Sequence, residues 1–129
     1  MISENKIMKE SIIQKKSYIF AVRIIRLYQY LVKTFKEYEL SKQILRSGTS
    51  IGSNVEEAEG GQSGKDFISK MSIAYKEARE TRFRLRLLHD TEYINKKIFD
   101  SMLKDCMELL KIIGKIQITM KKKSEKRNS

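Results

Sequence analysis

Proline is absent from this 129-residue chain, and glycine is scarce. Of six glycines, four (Gly48, Gly52, Gly60 and Gly61) fall inside one short stretch. Both residues interrupt helices, so long uninterrupted helices rich in Leu, Ile, Lys, Arg, Glu and Met are expected, and the fold class is all-α. Cysteine occurs once, as Cys106, which excludes an internal disulfide framework and suits a reducing cytoplasm. Histidine also occurs once, as His89, on a different segment and with no orienting partner in its pattern. That argues against a thiol–imidazole nucleophile. It also argues against a di-iron bundle, which needs Glu-x-x-His pairs, because Arg86 stands three residues before His89.

Long apolar runs are missing too. The longest uncharged run, Ser47 to Val55, has nine residues and is polar, whereas a membrane span needs about twenty apolar ones. The opening MISENKIMKE mixes acids with bases and holds no apolar block, so no signal peptide is expected there, and the expected location is cytoplasmic.

What the chain has in excess is positive charge: 27 Lys and Arg against 16 Asp and Glu, a net +11. Lys121, Lys122, Lys123, Lys126 and Arg127 against Glu125 place +4 on the last nine residues and leave +7 on the body. A field of this sign attracts polyanions, nucleic acid foremost.

Four helices follow from apolar spacing. Phe20, Ile24, Leu27, Leu31 and Phe35 mark a first helix starting near Ser11 or Ser17. Ala21, Val22, Ile25, Tyr28 and Val32 widen its apolar face, which suggests contacts on more than one side, either inside a bundle or between subunits. Ser41 is the expected N-cap of a second helix, whose core stripe (Ile44, Gly48, Ile51, Val55, Ala58) is made of small residues and ends at Gly60–Gly61. A third helix opens at Ser63 with Asp66 as a capping-box partner, and Phe67, Met71, Ala74, Ala78, Leu85 and Leu88 form its core face. A fourth runs from about Lys96 to Lys122 on a seam of Phe99, Met102, Cys106, Leu109, Ile113, Ile116 and Met120. Short connections force antiparallel packing. The expected architecture is an up-and-down four-helix bundle over residues 1–120, with residues 121–129 as a frayed basic tail.

Three features can carry function. GGQSGK, from Gly60 to Lys65, precedes a helix N-terminus, but it lacks P-loop spacing and a preceding strand, so it reads as a turn and cap. On the second helix Gln43, Ser47, Ser50, Asn54 and Glu57 form a polar stripe. It is either a solvated flank or an interface that fixes register, with Ser50, Asn54, Glu57, Gly48 and Gly52 as its residues. On the third helix Lys76, Arg79, Arg82 and Arg86 recur three or four apart beside Tyr75. Arg forks suit phosphate and aromatic faces suit bases, while Glu77 and Glu80 offer a competing reading as local salt bridges. Lys121, Lys122 and Lys123 add to the cationic set. No acid–base pair, nucleophile or ligand set is assembled, so no enzymatic activity, cofactor or metal is expected.

The string QILRSGTSIGSNVEEAEGGQSGKDF followed by AYKEARETRFRLRLL resembles the four-helix bundle proteins associated with intervening sequences in bacterial 23S ribosomal RNA. It is also similar to the accessory protein of diversity-generating retroelements. The likeness covers about residues 14–120 and rests on Gln43, Ile44, Arg46, Ser50, Ile51, Asn54, Glu57, Gly60, Ser63, Lys65, Asp66 and Phe67. Many relatives have Pro where Gly52 stands and Gly where Ala58 stands. The resemblance implies an antiparallel bundle without catalysis, often a ring of five subunits. It also implies nucleic-acid binding, RNA ahead of DNA, and in the retroelement relatives docking to a reverse transcriptase. The expected function is therefore a non-catalytic, homo-oligomeric nucleic-acid-binding scaffold, with an accessory subunit for a partner enzyme as the alternative.

Overall fold

The computed structural model describes residues 10–61 and 63–128. The expected bundle over 1–120 and tail over 121–129 therefore include residues 1–9, 62 and 129, which lie outside the described residues. Four helices follow one another: α1 (Ile12–Phe35), α2 (Glu39–Glu59), α3 (Gly64–Asp90) and α4 (Lys96–Asn128). Each packs on the next, and α1 meets α4 to close the bundle, which is the expected up-and-down arrangement.

The N-termini show which local signals prevailed. Ser11 caps α1 with a reciprocal box: Gln14 N–H donates to Ser11 Oγ at 3.2 Å, and Ser11 N–H donates to Gln14 Oε1 at 2.8 Å. Ser63 caps α3 as expected, its Oγ accepting from Asp66 N–H at 3.1 Å, but the Asp66 carboxylate does not return the bond that would complete a box. Ser41 is not the cap of α2. The helix begins two residues earlier, and the Glu37 carboxylate accepts the N–H groups of Glu39, Leu40 and Ser41 at 3.0, 2.9 and 2.8 Å. Ser41 is buried, and its hydroxyl donates to the Glu37 carbonyl at 2.6 Å. A carboxylate that reaches three orphan donors displaces a serine that reaches one. Partial burial pushes the Glu37 carboxyl up, but these backbone hydrogen bonds outweigh it and hold the group below its ordinary 4.5.

The core is the expected one along most of its length. Phe20, Ile24, Leu31, Ile44, Ile51, Met71, Leu85, Leu88, Leu109 and Ile113 are fully buried. Phe35 departs from its stripe and is 44% exposed at the end of α1, because the bundle has no layer beyond it.

The glycines of α2 correct a larger expectation. A Cβ on Gly48 would stand 2.6–2.8 Å from three carbons of Ile24, and one on Gly52 would stand 3.3 Å from the Ser17 carbonyl oxygen. Both glycines are buried against α1 of the same chain, so neither is available to a second subunit. The polar residues around them bond within the chain as well. Ser50 Oγ donates to the Arg46 carbonyl at 2.6 Å, and Asn54 Nδ2 donates to the Ser50 carbonyl at 2.8 Å. Ser47 is buried, and its hydroxyl lies 3.0 Å from that of Thr81 on α3. Glu57 pairs with Lys70 at 3.0 Å. Gln43 alone of this stripe stays exposed without a described partner.

The end of α4 also differs from expectation. Residues 121–128, expected to fray, continue the helix to Asn128. Nothing after Gly114 breaks a helix there, Lys, Glu and Arg are good helix formers, and the terminal cations complement the negative end of the helix dipole.

The sparsest seam, between α1 and α4, is tied by polar clamps. Arg23 reaches Asp105 and donates to Ser101 Oγ at 2.7 Å, and Lys16 meets Glu108 at 2.7 Å. These groups are about a third to a half exposed, so each pair contributes roughly 0–1 kcal/mol.

Two expectations follow. Gly48→Ala gains about 1 kcal/mol of helix propensity but forces a methyl into the fully buried Ile24, at a cost of about 1–3 kcal/mol. A lower urea midpoint at unchanged slope is expected, and an equal or higher midpoint would show that α1 can retreat. For Glu37, the native carboxyl titrates below its unfolded value, so its contribution is complete above about 4.5 and disappears as pH falls through the depressed native value. Glu37→Gln should therefore be less stable than the parent at neutral pH, with the difference closing on acidification, as read by thermal melts across that range.

Candidate nucleic-acid interface

α3 carries the cationic stripe because its apolar residues at three- and four-residue spacing turn the opposite flank outward. Lys76, Arg79 and Arg86 are exposed, and Arg82 is half-buried with Nη1 3.8 Å from Met107 Sδ on α4. Tyr75 lies flat enough against α4 that a Cβ on Gly114 would meet its Cε2 at 3.6 Å. Phe83, 57% exposed, adds an aromatic face among these cations.

Tyr75 and Arg82 stand between two shallow hollows. One runs along α3 past Lys76, Arg79 and Arg86, and the other lies between α3 and α4 and is lined by Lys104, Lys111 and Glu108. Lys104 and Lys111 are thus part of the same face, and the signal for them lay in the spacing of Lys97, Lys104, Lys111, Lys115 and Lys122, seven, seven, four and seven residues apart on one side of α4. Only the pairing of α3 with α4 brings them beside Arg82.

The carboxylates here are engaged elsewhere or held back. Glu80 pairs with Arg84 at 3.5 Å, and Glu108 pairs with Lys16 of α1. Burial, and then the charge of Glu80, pushes the Glu77 carboxyl up against the pull of Lys76, Arg84 and Arg46. Among the described residues no ion pair involves Lys76, Arg79, Arg82, Arg86, Lys104 or Lys111. The competing reading of the stripe, local Arg–Glu bridges, holds for Arg84 and not for the expected cations.

Lys121, Lys122 and Lys123 are exposed on α4 but are not gathered with Arg86. Gln117 Nε2 donates to Ser72 Oγ at 3.1 Å, which sets Gln117 level with Ser72 in the antiparallel pair. At 1.5 Å rise per residue, Lys121 and Arg86 then lie about 27 Å apart along the bundle axis. Together they make an extended row of charge, not a point site.

Cys106 is buried, and its thiol donates to the Ala78 carbonyl at 3.3 Å. Burial above all pushes this thiol up to about 12, so it stays protonated and inert near neutrality. Among the described residues no three His, Cys, Asp or Glu side chains are placed to hold one metal ion. No helix among them is long and apolar enough to cross a membrane.

Comparison with known proteins agrees with the fold. A solved structure from Bacteroides thetaiotaomicron, described as a protein of unknown function from the S23 ribosomal protein family, is 51% identical to this chain. The match covers 82% of this chain and 98% of that one, with a TM-score of 0.81. No curated protein matches. The pattern that defines the 23S rRNA-intervening sequence proteins matches residues 9–115. With most of its length matched, and with the bundle that pattern implies, the chain belongs to the 23S rRNA-intervening sequence protein family.

Proposed function

We propose that this chain is a non-catalytic, self-associating scaffold that binds structured RNA through the α3–α4 face. One observation carries the reading: six cations on that face lack an ion pair among the described residues, while its carboxylates are engaged by Arg84 and Lys16 or partly buried. Unneutralised guanidinium groups beside Tyr75 and Phe83 offer phosphate contacts and base stacking together. Among the described residues neither a groove-reading helix pair nor an RNA-recognition sheet accompanies them, so charge and shape would dominate and sequence preference would be weak.

Self-association rests on a different surface from the glycines. Val22 and Ile25 are about 40% exposed on α1, and Tyr18 and Ile19 more so, forming an apolar strip that no other helix among the described residues covers. Contiguous exposed apolar surface of this kind marks an interface. Val22→Glu with Ile25→Glu should reduce the mass in light scattering to the 15.2 kDa monomer without loss of helicity. A parent that is already monomeric at micromolar concentration would remove the oligomeric part of the proposal.

For RNA, affinity for a folded fragment should fall steeply with salt. Arg79→Gln and Lys111→Gln should each lower the log–log salt slope by about 1, whereas Arg84→Gln should change it little. If these substitutions leave RNA affinity intact but weaken capture of a reverse transcriptase, the face serves a protein partner instead.

A further inference from the structure

The pole of the bundle where α1 and α3 end differs in chemistry from the rest of this basic chain. Phe35, the last residue of α1, stands perpendicular to two tyrosines. Its centroid is 6.2 Å from that of Tyr30 at 85° and 5.1 Å from that of Tyr93 at 89°. Tyr93 reaches it because the chain reverses after α3: Glu92 adopts φ 69°, and the Tyr93 N–H donates to the Leu88 carbonyl at 2.9 Å. Tyr30 and Phe35 remain exposed, so their rings border a hollow whose rim holds Asp90 and Glu92 and which no Lys or Arg lines.

Two sources of negative potential meet there: the rings carry the negative lobe of their quadrupoles on their faces, and the two carboxylates add formal charge. The helix termini at this pole add little, because the carbonyls of Val32, Leu87, Leu88 and His89 accept backbone N–H groups, as Asn95 and Glu37 accept those that open α4 and α2. His89 is held in the wall, stacked on Phe99 at 4.4 Å with Nδ1 3.4 Å from Asp90. Glu92 has no ion pair among the described residues.

We propose that Tyr30, Phe35 and Tyr93, with Asp90 and Glu92, form a binding site for an organic cation, an alkylated ammonium or guanidinium group. Aromatic faces attract such ions because they are weakly hydrated and shed water at little cost, whereas a small inorganic cation keeps its shell. The site shares no residue with the α3–α4 face, so it stands or falls independently of RNA binding.

The test is a titration of the full chain followed by the aromatic NMR signals, with tetramethylammonium chloride and with N-acetylarginine amide, against sodium chloride at equal ionic strength. Saturable shifts of Tyr30, Phe35 and Tyr93 with either organic cation, and not with sodium, are expected. Which of the two binds more tightly identifies the head group. Phe35→Leu should weaken binding about tenfold, as loss of a cation–π wall implies. Glu92→Gln, which leaves every ring in place, should weaken it several-fold, so the result does not depend on the ring variant folding well. Linear, unsaturated shifts, or equal shifts with sodium, would overturn the assignment.

Discussion

The close approach of α1 and α2 is the constraint on which the other features rest. At Gly48 the backbone of α2 comes so near α1 that the Ile24 side chain occupies the space of the missing Cβ, and at Gly52 the contact is with the backbone of Ser17. A glycine in a helix interior costs about 1 kcal/mol relative to alanine, and here that cost is offset by close packing of the fully buried Ile24. Ser47, one turn from Ile51 on the same helix, is thereby buried and hydrogen-bonded to Thr81. α2 is in this way fixed to both neighbours. The hydroxyls that such a helix carries inward bond to carbonyls three or four residues back, and no buried side-chain polar atom among the described residues is left without a partner.

With the inner faces so occupied, what remains outside is sorted by chemistry. Acids are spent where the bundle needs closing: Asp105 and Glu108 hold α1 to α4, and Glu57 holds α2 to α3. Cations on the α3–α4 side are left over, and aromatic and acidic groups collect at the pole where α1 and α3 end. One basic chain thus lines one hollow with cations and another with carboxylates and aromatic rings, a sorting that overall composition does not give.

Much of the site was legible in part only. Arg79, Arg82 and Arg86 stand out because one helix repeats them at its own period. Lys104 and Lys111 also repeat at helical spacing, with Lys97, Lys115 and Lys122, but that they join the α3 cations follows only from the register of α4 against α3. The short polar and glycine residues of α2 were conspicuous as a stripe, yet a stripe does not say whether the helix it faces belongs to the same chain. Phe35 continues the periodicity of α1 but falls where the partner layers stop.

The amino-acid sequence alone determined four helices, most of their core stripes, the cap at Ser63, the antiparallel order and the sign of the net charge. The helices, stripes and cap follow from interactions within a few residues or from the 3.6-residue period, the order from short connections and the sign from composition. Tertiary structure alone decided that Gly48 and Gly52 serve the inside of the bundle and which cations keep no counter-ion. Those outcomes depend on which faces meet and at what axial register. Contacts between residues distant in the chain set both, and no local pattern encodes them.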